Sequence, residues 1–175
     1  FRNDAQNMKE KILIVGGAGY VGSMLAKKLI NDGYKVRIFD LFIYDIQFQK
    51  NEDLELVKGD IRNISLLEKS LKEIDHVIHL ACISNDPSFE LDPDLGKSIN
   101  FDSFEPFVKL CTKAKIKRFI YASSSSVYGL SKEKNVTEEH ILKPLTDYSK
   151  FKVGCEEILN RYKNSDMVWT VIRPA

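Results

Sequence analysis

The amino-acid sequence predicts one doubly wound α/β domain, a parallel sheet with helices on both faces, and three observations carry that expectation. Short, almost wholly apolar runs recur along the 175 residues, with helix-period segments between them. A glycine-rich turn separates the first apolar run from the first helical segment. The composition, 43% hydrophobic and 29% charged, suits a single packed domain and excludes a disordered chain.

Taken in order, Lys11–Val15 (KILIV) has the pattern of a strand buried on both faces. Tyr20–Asn31 places Val21, Met24, Leu25 and Leu29 on one helical stripe, which Gly33 closes. Lys35–Phe39 and Leu54–Lys58 read as the second and third strands, and Ser65–Lys72 as a short helix. His76–Leu80 is the fourth strand. A loop rich in Asn, Asp and Pro follows it, and Lys97–Ala114 is expected as one long helix. Arg118–Ala122 is the fifth strand, Tyr148–Tyr162 a helix, and Met167–Ile172 the sixth strand. Strand–helix alternation of this kind requires right-handed crossovers and a parallel sheet. Residues 1–7 read as linker sequence ahead of a start at Met8, leaving 8–175 as the domain. Ligands of such sheets sit at the carboxyl ends of the strands. A chain that stops at Ala175, three residues past the sixth strand, is therefore expected to hold the cofactor half of a site and little else.

Charge and cysteine usage narrow the function classes. Lys+Arg number 26 and Asp+Glu 25, a net charge of +1, which excludes an electrostatic nucleic-acid binder. No apolar run approaches the roughly 20 residues that span a bilayer, and the polar start shows no secretory signal. Cys82, Cys111 and Cys155 are an odd number without metal-ligand spacing, which fits a reducing cytoplasm. Cys111 and Cys155 are expected as small core residues. His76 and His79 stand three apart on a strand and so face opposite ways, which argues against metal chelation. The basic stretch Lys109 to Arg118 reads as the solvated end of a helix, where cations complement the dipole.

The first turn runs Gly16-Gly17-Ala18-Gly19-Tyr20-Val21-Gly22. Glycines allow a tight turn, a close backbone approach to a pyrophosphate and close packing of helix on strand. The helix that begins there points free N–H groups at phosphates. Asp40 ends the second strand eighteen positions after Gly22. An acid there accepts hydrogen bonds from both ribose hydroxyls and repels a 2′-phosphate, favouring NAD over NADP. Farther on, Tyr148 and Lys152 stand four apart and share a helix face. An ammonium beside a phenol favours the phenolate and so brings a poor base closer to use. Among Ser123, Ser124, Ser125 and Ser126, at the carboxyl end of the fifth strand, a hydroxyl can hydrogen-bond a substrate oxygen beside Tyr148.

In order and spacing, Gly16-x-x-Gly19-x-x-Gly22, Asp40, Asp60-Ile61-Arg62, Leu80-Ala81-Cys82, Ser123-Ser124-x-x-Val127-Tyr128-Gly129 and Tyr148-x-x-x-Lys152 resemble the extended short-chain dehydrogenase/reductases. More narrowly they resemble the NAD-dependent epimerase/dehydratase family that acts on nucleotide sugars, over Lys11 to Ala175. The resemblance implies a Rossmann-type domain from which the family's smaller C-terminal substrate-binding region is missing. It implies NAD held by Gly16, Gly19, Tyr20, Val21, Gly22, Asp40, Asp60, Ile61, Leu80, Ala81 and Cys82, with Asn100, Tyr148 and Lys152 also on the cofactor. Ser84 and Asn85 would lie near the nicotinamide. Ser124, Tyr148, Lys152 and Asn100 would be catalytic, and no metal is implied. The family's usual Asn-x-x-Gly-Thr is here Asn100-Phe101-Asp102-Ser103-Phe104.

Family members that dehydrate sugars carry Asp-Glu after the active hydroxyl, where this chain has Ser125-Ser126. The expected activity is therefore a nucleotide-sugar epimerase resembling UDP-glucose 4-epimerase, working by hydride abstraction and return through a keto-sugar. A dehydratase, reductase or decarboxylase of the same family, or a catalytically silent NAD-binding protein, stands as the alternative. The resemblance also implies a homodimer when full length, formed through the helices that carry Asn100 and Tyr148, and the cysteine usage implies a cytoplasmic protein.

Overall fold

The computed structural model describes residues 9–84, 86–131 and 135–175. The expected linker residues 1–7, the start at Met8 and the expected nicotinamide neighbour Asn85 lie outside the described residues. Six strands form one sheet in which every pairing is parallel: β1 (Lys11–Val15), β2 (Lys35–Asp40), β3 (Leu54–Lys58), β4 (His76–His79), β5 (Arg118–Ala122) and β6 (Val168–Ile172). Their spatial order is β3-β2-β1-β4-β5-β6. The order reverses between β1 and β4, which opens a crevice at the carboxyl ends of those two strands.

Period-2 alternation in β1 sends Leu13 and Val15 to one face and Ile12 and Ile14 to the other, all buried. Ile12 and Ile14 join Val36, Ile38 and Ile78 beneath α1 (Tyr20–Asn31), which contributes Ala26. Leu13, Val15, Phe39, Val77 and Phe119 form the other core, roofed by Leu67 of α2 (Ile64–Ser70). Phe104, Phe107 and Val108 of α5 (Phe104–Lys113) and Cys155, Ile158 and Leu159 of α6 (Asp147–Arg161) complete that roof. The doubly wound sheet with helices on both faces is thus present. Cys111 and Cys155 are buried and reduced, as their helical positions led one to expect.

One helix departs from the sequence reading. In place of a single helix over 97–114 there are α4 (Pro93–Lys97), a π-helical turn (Ser98–Asp102) and α5. Asp92 caps α4 by accepting the Leu95 N–H at 3.0 Å, with Pro93 at the first helical position, so the helix starts earlier. The π turn widens the helix at Asn100, whose side chain accepts the Ile83 N–H at 2.8 Å and donates to the Ile83 carbonyl at 2.9 Å. A short helix, α3 (Asp86–Glu90), also occupies the loop after β4.

His79 is buried among Phe104, Phe107, Phe119 and Tyr121, ring centroids 5.3–6.2 Å away. Burial, followed by the nearby Lys152 charge, lowers its pKa to about 3. His76 instead meets Glu10, Nε2 to Oε2 at 3.1 Å.

Phe104 is fully buried against His79, Phe119 and Tyr121. Phe104→Ala should cost about 3–5 kcal/mol in urea unfolding, whereas Val168→Ala at the exposed sheet edge should cost less than about 1 kcal/mol.

Candidate active site

The turn after β1 is built on contacts too close for side chains. Gly16 has φ +82°, and a Cβ there would lie 2.5 Å from the Ala81 nitrogen. The Leu80 and Ala81 N–H groups both donate to the Val15 carbonyl, at 2.8 and 2.9 Å, so the turn is seated on the end of β4. A Cβ on Gly22 would lie 2.6 Å from the Gly17 Cα and 2.7 Å from the Gly16 oxygen. The start of α1 is therefore pressed onto the turn. Gly19 is the N-cap in extended conformation, and no side chain caps this twelve-residue helix. That leaves the N-terminus suited to an anion.

Asp40 stands at the end of β2 with its carboxylate fixed by the turn. Oδ2 accepts the Ala18 N–H at 2.9 Å and Oδ1 accepts the Phe42 N–H at 2.9 Å. A carboxylate has about four acceptor positions, so both oxygens retain capacity for two hydroxyls. Asp60 is gripped by Arg62, whose Nε donates to Oδ1 at 2.9 Å and whose Nη2 donates to Oδ2 at 2.5 Å. The Arg62 hydrogen bond holds the Asp60 carboxyl below its ordinary range.

These groups border a cleft of about 610 Å³. Gly16, Gly19, Tyr20, Val21, Gly22, Asp40, Asp60, Ile61, Leu80, Ala81 and Cys82 all line it, and so does Ser84. The sequence reading missed Leu41, Ile43, Tyr44, Ile83, Ser88, Leu95 and Ile99 on the same walls. The loop residues among them follow strand ends, a signal that identifies the cleft rim without selecting side chains. Asn100, Tyr148 and Lys152, expected on the cofactor, do not line this cleft. Asn100 is buried, and its amide is engaged by Ile83.

Tyr148 lies in the first turn of α6, where Thr146 and Ser149 form a capping box. Lys152 follows one turn later and is buried, its Nζ 5.6 Å from the Tyr148 ring centroid and 5.0 Å from that of Tyr121. The expected lowering of the phenol pKa by Lys152 is not what the structure shows. The Lys152 ammonium donates to the Ala122 carbonyl at 2.7 Å. Burial pushes the Tyr148 phenol up to about 12, and Cys82 and Asp86 add to the rise. The nearby Ser124 hydroxyl acts in the opposite sense. Ser124 Oγ also accepts the Ser126 N–H at 3.1 Å, which opens the 3₁₀ turn Ser125–Tyr128. Asp86, missed in the sequence, accepts from Thr146 Oγ1 at 2.5 Å and ties α3 to the start of α6.

The structure thus joins Ser124, Tyr148 and Lys152 in one cluster and the glycine turn, Asp40 and Asp60 in a neighbouring cleft. The first can exchange a proton with a hydroxyl, and the second can hold a dinucleotide.

Comparison with known proteins agrees with this arrangement. The model of the NAD dependent epimerase/dehydratase family matches residues 12–175. The UDP-glucose 4-epimerase of Lactobacillus helveticus is 28% identical over 93% of this chain and 50% of its own length. The dTDP-D-glucose 4,6-dehydratase of Dictyostelium discoideum is 32% identical over 95% of this chain and 43% of its own. Among solved structures, the UDP-N-acetylglucosamine 4-epimerase of Methanobrevibacter ruminantium, in complex with UDP-N-acetylmuramic acid, superposes with a TM-score of 0.87 at 28% identity. That match covers 94% of this chain and 54% of the epimerase. The chain spans about half the length of the relatives it matches.

Gly22→Ala cannot be accommodated without moving backbone, because the new methyl meets Gly17 and Gly16 main-chain atoms. Calorimetric titration with NAD should show affinity at least about tenfold weaker, the scale of one lost charge-assisted hydrogen bond to a phosphate. Ser23→Ala, one residue on and half-buried, should bind as the unmodified chain does.

Proposed function

The chain belongs to the NAD dependent epimerase/dehydratase family, and from that premise we propose that it is the cofactor-binding and catalytic half of a nucleotide-sugar epimerase. The observation that carries this reading is buried Lys152 one helical turn from Tyr148, 5.6 Å from its ring centroid, on a helix face that meets the Ala122–Ser124 end of β5 beside the cleft lined by Cys82.

The glycine turn and the N-terminus of α1 would hold the pyrophosphate of NAD, and Asp40 the adenosine ribose. Asp60 and Ile61 would border the adenine, while Leu80 to Cys82 would run along the cofactor. When bound, NAD supplies a hydride acceptor and, in its reduced form, a donor. Tyr148 takes the proton of the sugar hydroxyl and returns it once the configuration at carbon is inverted. Ser124 holds the reacting oxygen through its hydroxyl. Lys152, fastened to the Ala122 carbonyl, fixes α6 and supplies positive charge behind the phenol. Asn100 holds the Ile83 backbone, which lines the cleft, and so acts on the site through that loop.

The dehydratase relative names the second reading. Ser125 and Ser126 stand in the 3₁₀ turn directly after Ser124, so no carboxylate serves there as the acid/base pair for elimination. That absence places epimerisation first. UDP-sugars are the proposed substrates, on the strength of the epimerase relatives. We also propose a cytoplasmic homodimer for the whole protein. Among the described residues no helix is long and apolar enough to cross a membrane.

Tyr148→Phe keeps the ring's packing and removes the proton-exchanging group. In the full-length protein, turnover of a UDP-hexose should fall by roughly 10²–10⁴ in kcat, with NAD affinity unchanged. A Tyr148→Phe protein with full kcat would refute the mechanism. Because the phenol lies near 12, only its small ionised fraction can act as base at neutral pH. That fraction grows about tenfold per pH unit below the pKa. The initial-rate profile should therefore rise with pH through neutrality, and a falling profile would contradict Tyr148 as the base.

A further inference from the structure

Glu156 and Arg173 form an ion pair beside the site that the proton chemistry does not use. Glu156 lies one turn beyond Lys152 and two beyond Tyr148, so all three share a face of α6. That face meets consecutive residues at the end of β5. Lys152 Nζ donates to the Ala122 carbonyl, Ser123 Oγ donates to Glu156 Oε1 at 2.5 Å, and the Ser124 hydroxyl bears on the Tyr148 phenol. Arg173, just past β6, grips the same carboxylate. Its Nε donates to Oε1 at 3.1 Å and its Nη2 to Oε2 at 2.6 Å. Nη1 reaches the Tyr128 hydroxyl at 2.8 Å and the Glu138 carbonyl at 3.3 Å. The Ser123 N–H donates to the Ile172 carbonyl and the Ser125 N–H to the Pro174 carbonyl, each at 2.8 Å. Ser124 is thus flanked on both sides by residues fastened to the β6 end.

Ser123 and Glu156 are buried, and the Arg173 side chain is 18% exposed. A buried ion pair gives little net stability over an apolar pair of the same volume, because both charges lose water. What it supplies is geometry. A two-pronged guanidinium–carboxylate contact fixes distance and plane together, which packed aliphatic side chains do not. The three segments it joins carry Tyr148, Ser124 and the 3₁₀ turn.

We propose that Glu156 and Arg173 are positioning residues that set the height of α6 over the β5 end and thereby hold the Ser124 hydroxyl beside the Tyr148 phenol. The catalytic meaning of this role rests on the epimerase reading, but the geometry does not.

The test is a coupling measurement that needs no turnover. Tyrosine labelled with ¹³C at Cζ reports hydrogen bonding of the phenol, and the Tyr148→Phe spectrum identifies the Tyr148 resonance among seven tyrosines. In the unmodified chain, Ser124→Ala should move that resonance. In a Glu156→Gln/Arg173→Met background, which keeps an acceptor for Ser123 but removes the fork, Ser124→Ala should move it by less than about half as much. Arg173→Lys, which keeps the charge and loses the two-pronged contact, should show the same direction and decides the matter if the double variant does not fold. An undiminished response to Ser124→Ala in a folded variant would overturn the proposal. Turnover of UDP-glucose by the same variants should fall roughly 10–100-fold in kcat, the scale of an ångström-sized misplacement, with KM little changed. No turnover by the unmodified full-length protein would overturn the epimerase reading, and the resonance measurement would still decide this one.

Discussion

The site depends on a backbone contact that leaves no room for a methyl group. Gly22 lies so close to Gly17, and Gly16 so close to Ala81, that α1, the turn after β1 and the end of β4 behave as one packed unit. The contact aims the N-terminus of α1 across the crevice between β1 and β4. It also brings the Ala18 N–H within reach of Asp40, so the phosphate turn and the ribose acceptor are fixed by each other. A cleft assembled in this way is ready before any ligand arrives, and binding needs little further ordering.

The second half of the site is fixed from the other side of the sheet. α6 lies along the end of β5 through Tyr148, Lys152 and Glu156, each meeting a residue between Ala122 and Ser124. Lys152 spans the two roles expected of it in an altered way. Its ammonium is fastened to a backbone carbonyl, and burial dominates the phenol beside it. Cys82 and Asp86 raise that phenol further. The tyrosine is thereby held as a neutral phenol at rest.

Much of this was legible in the sequence because it rests on local chemistry. Strands such as KILIV are buried on both faces and so are continuously apolar, while Gly16 and Gly22 mark contacts that only glycine permits. The helix break at Ser98–Asp102 was not legible. It depends on Asn100 reaching the backbone of Ile83, seventeen residues away, and a helical pattern carries no trace of that bond. The direction of the Tyr148 shift was misread for a related reason. The spacing of Tyr148 and Lys152 brings them to one face, but the burial that raises the phenol comes from tertiary packing around it. Arg173 and Glu156 were overlooked because their pairing joins α6 to the residues after β6 through tertiary structure alone.

The claim on which the account turns is that the glycine turn and Asp40 together form a site for NAD. Calorimetric titration of the purified chain with NAD and with NADP tests it directly. The account predicts NAD binding, with NADP weaker by about tenfold or more, because the Asp40 carboxylate accepts ribose hydroxyls and repels a 2′-phosphate. Equal or tighter binding of NADP would contradict it.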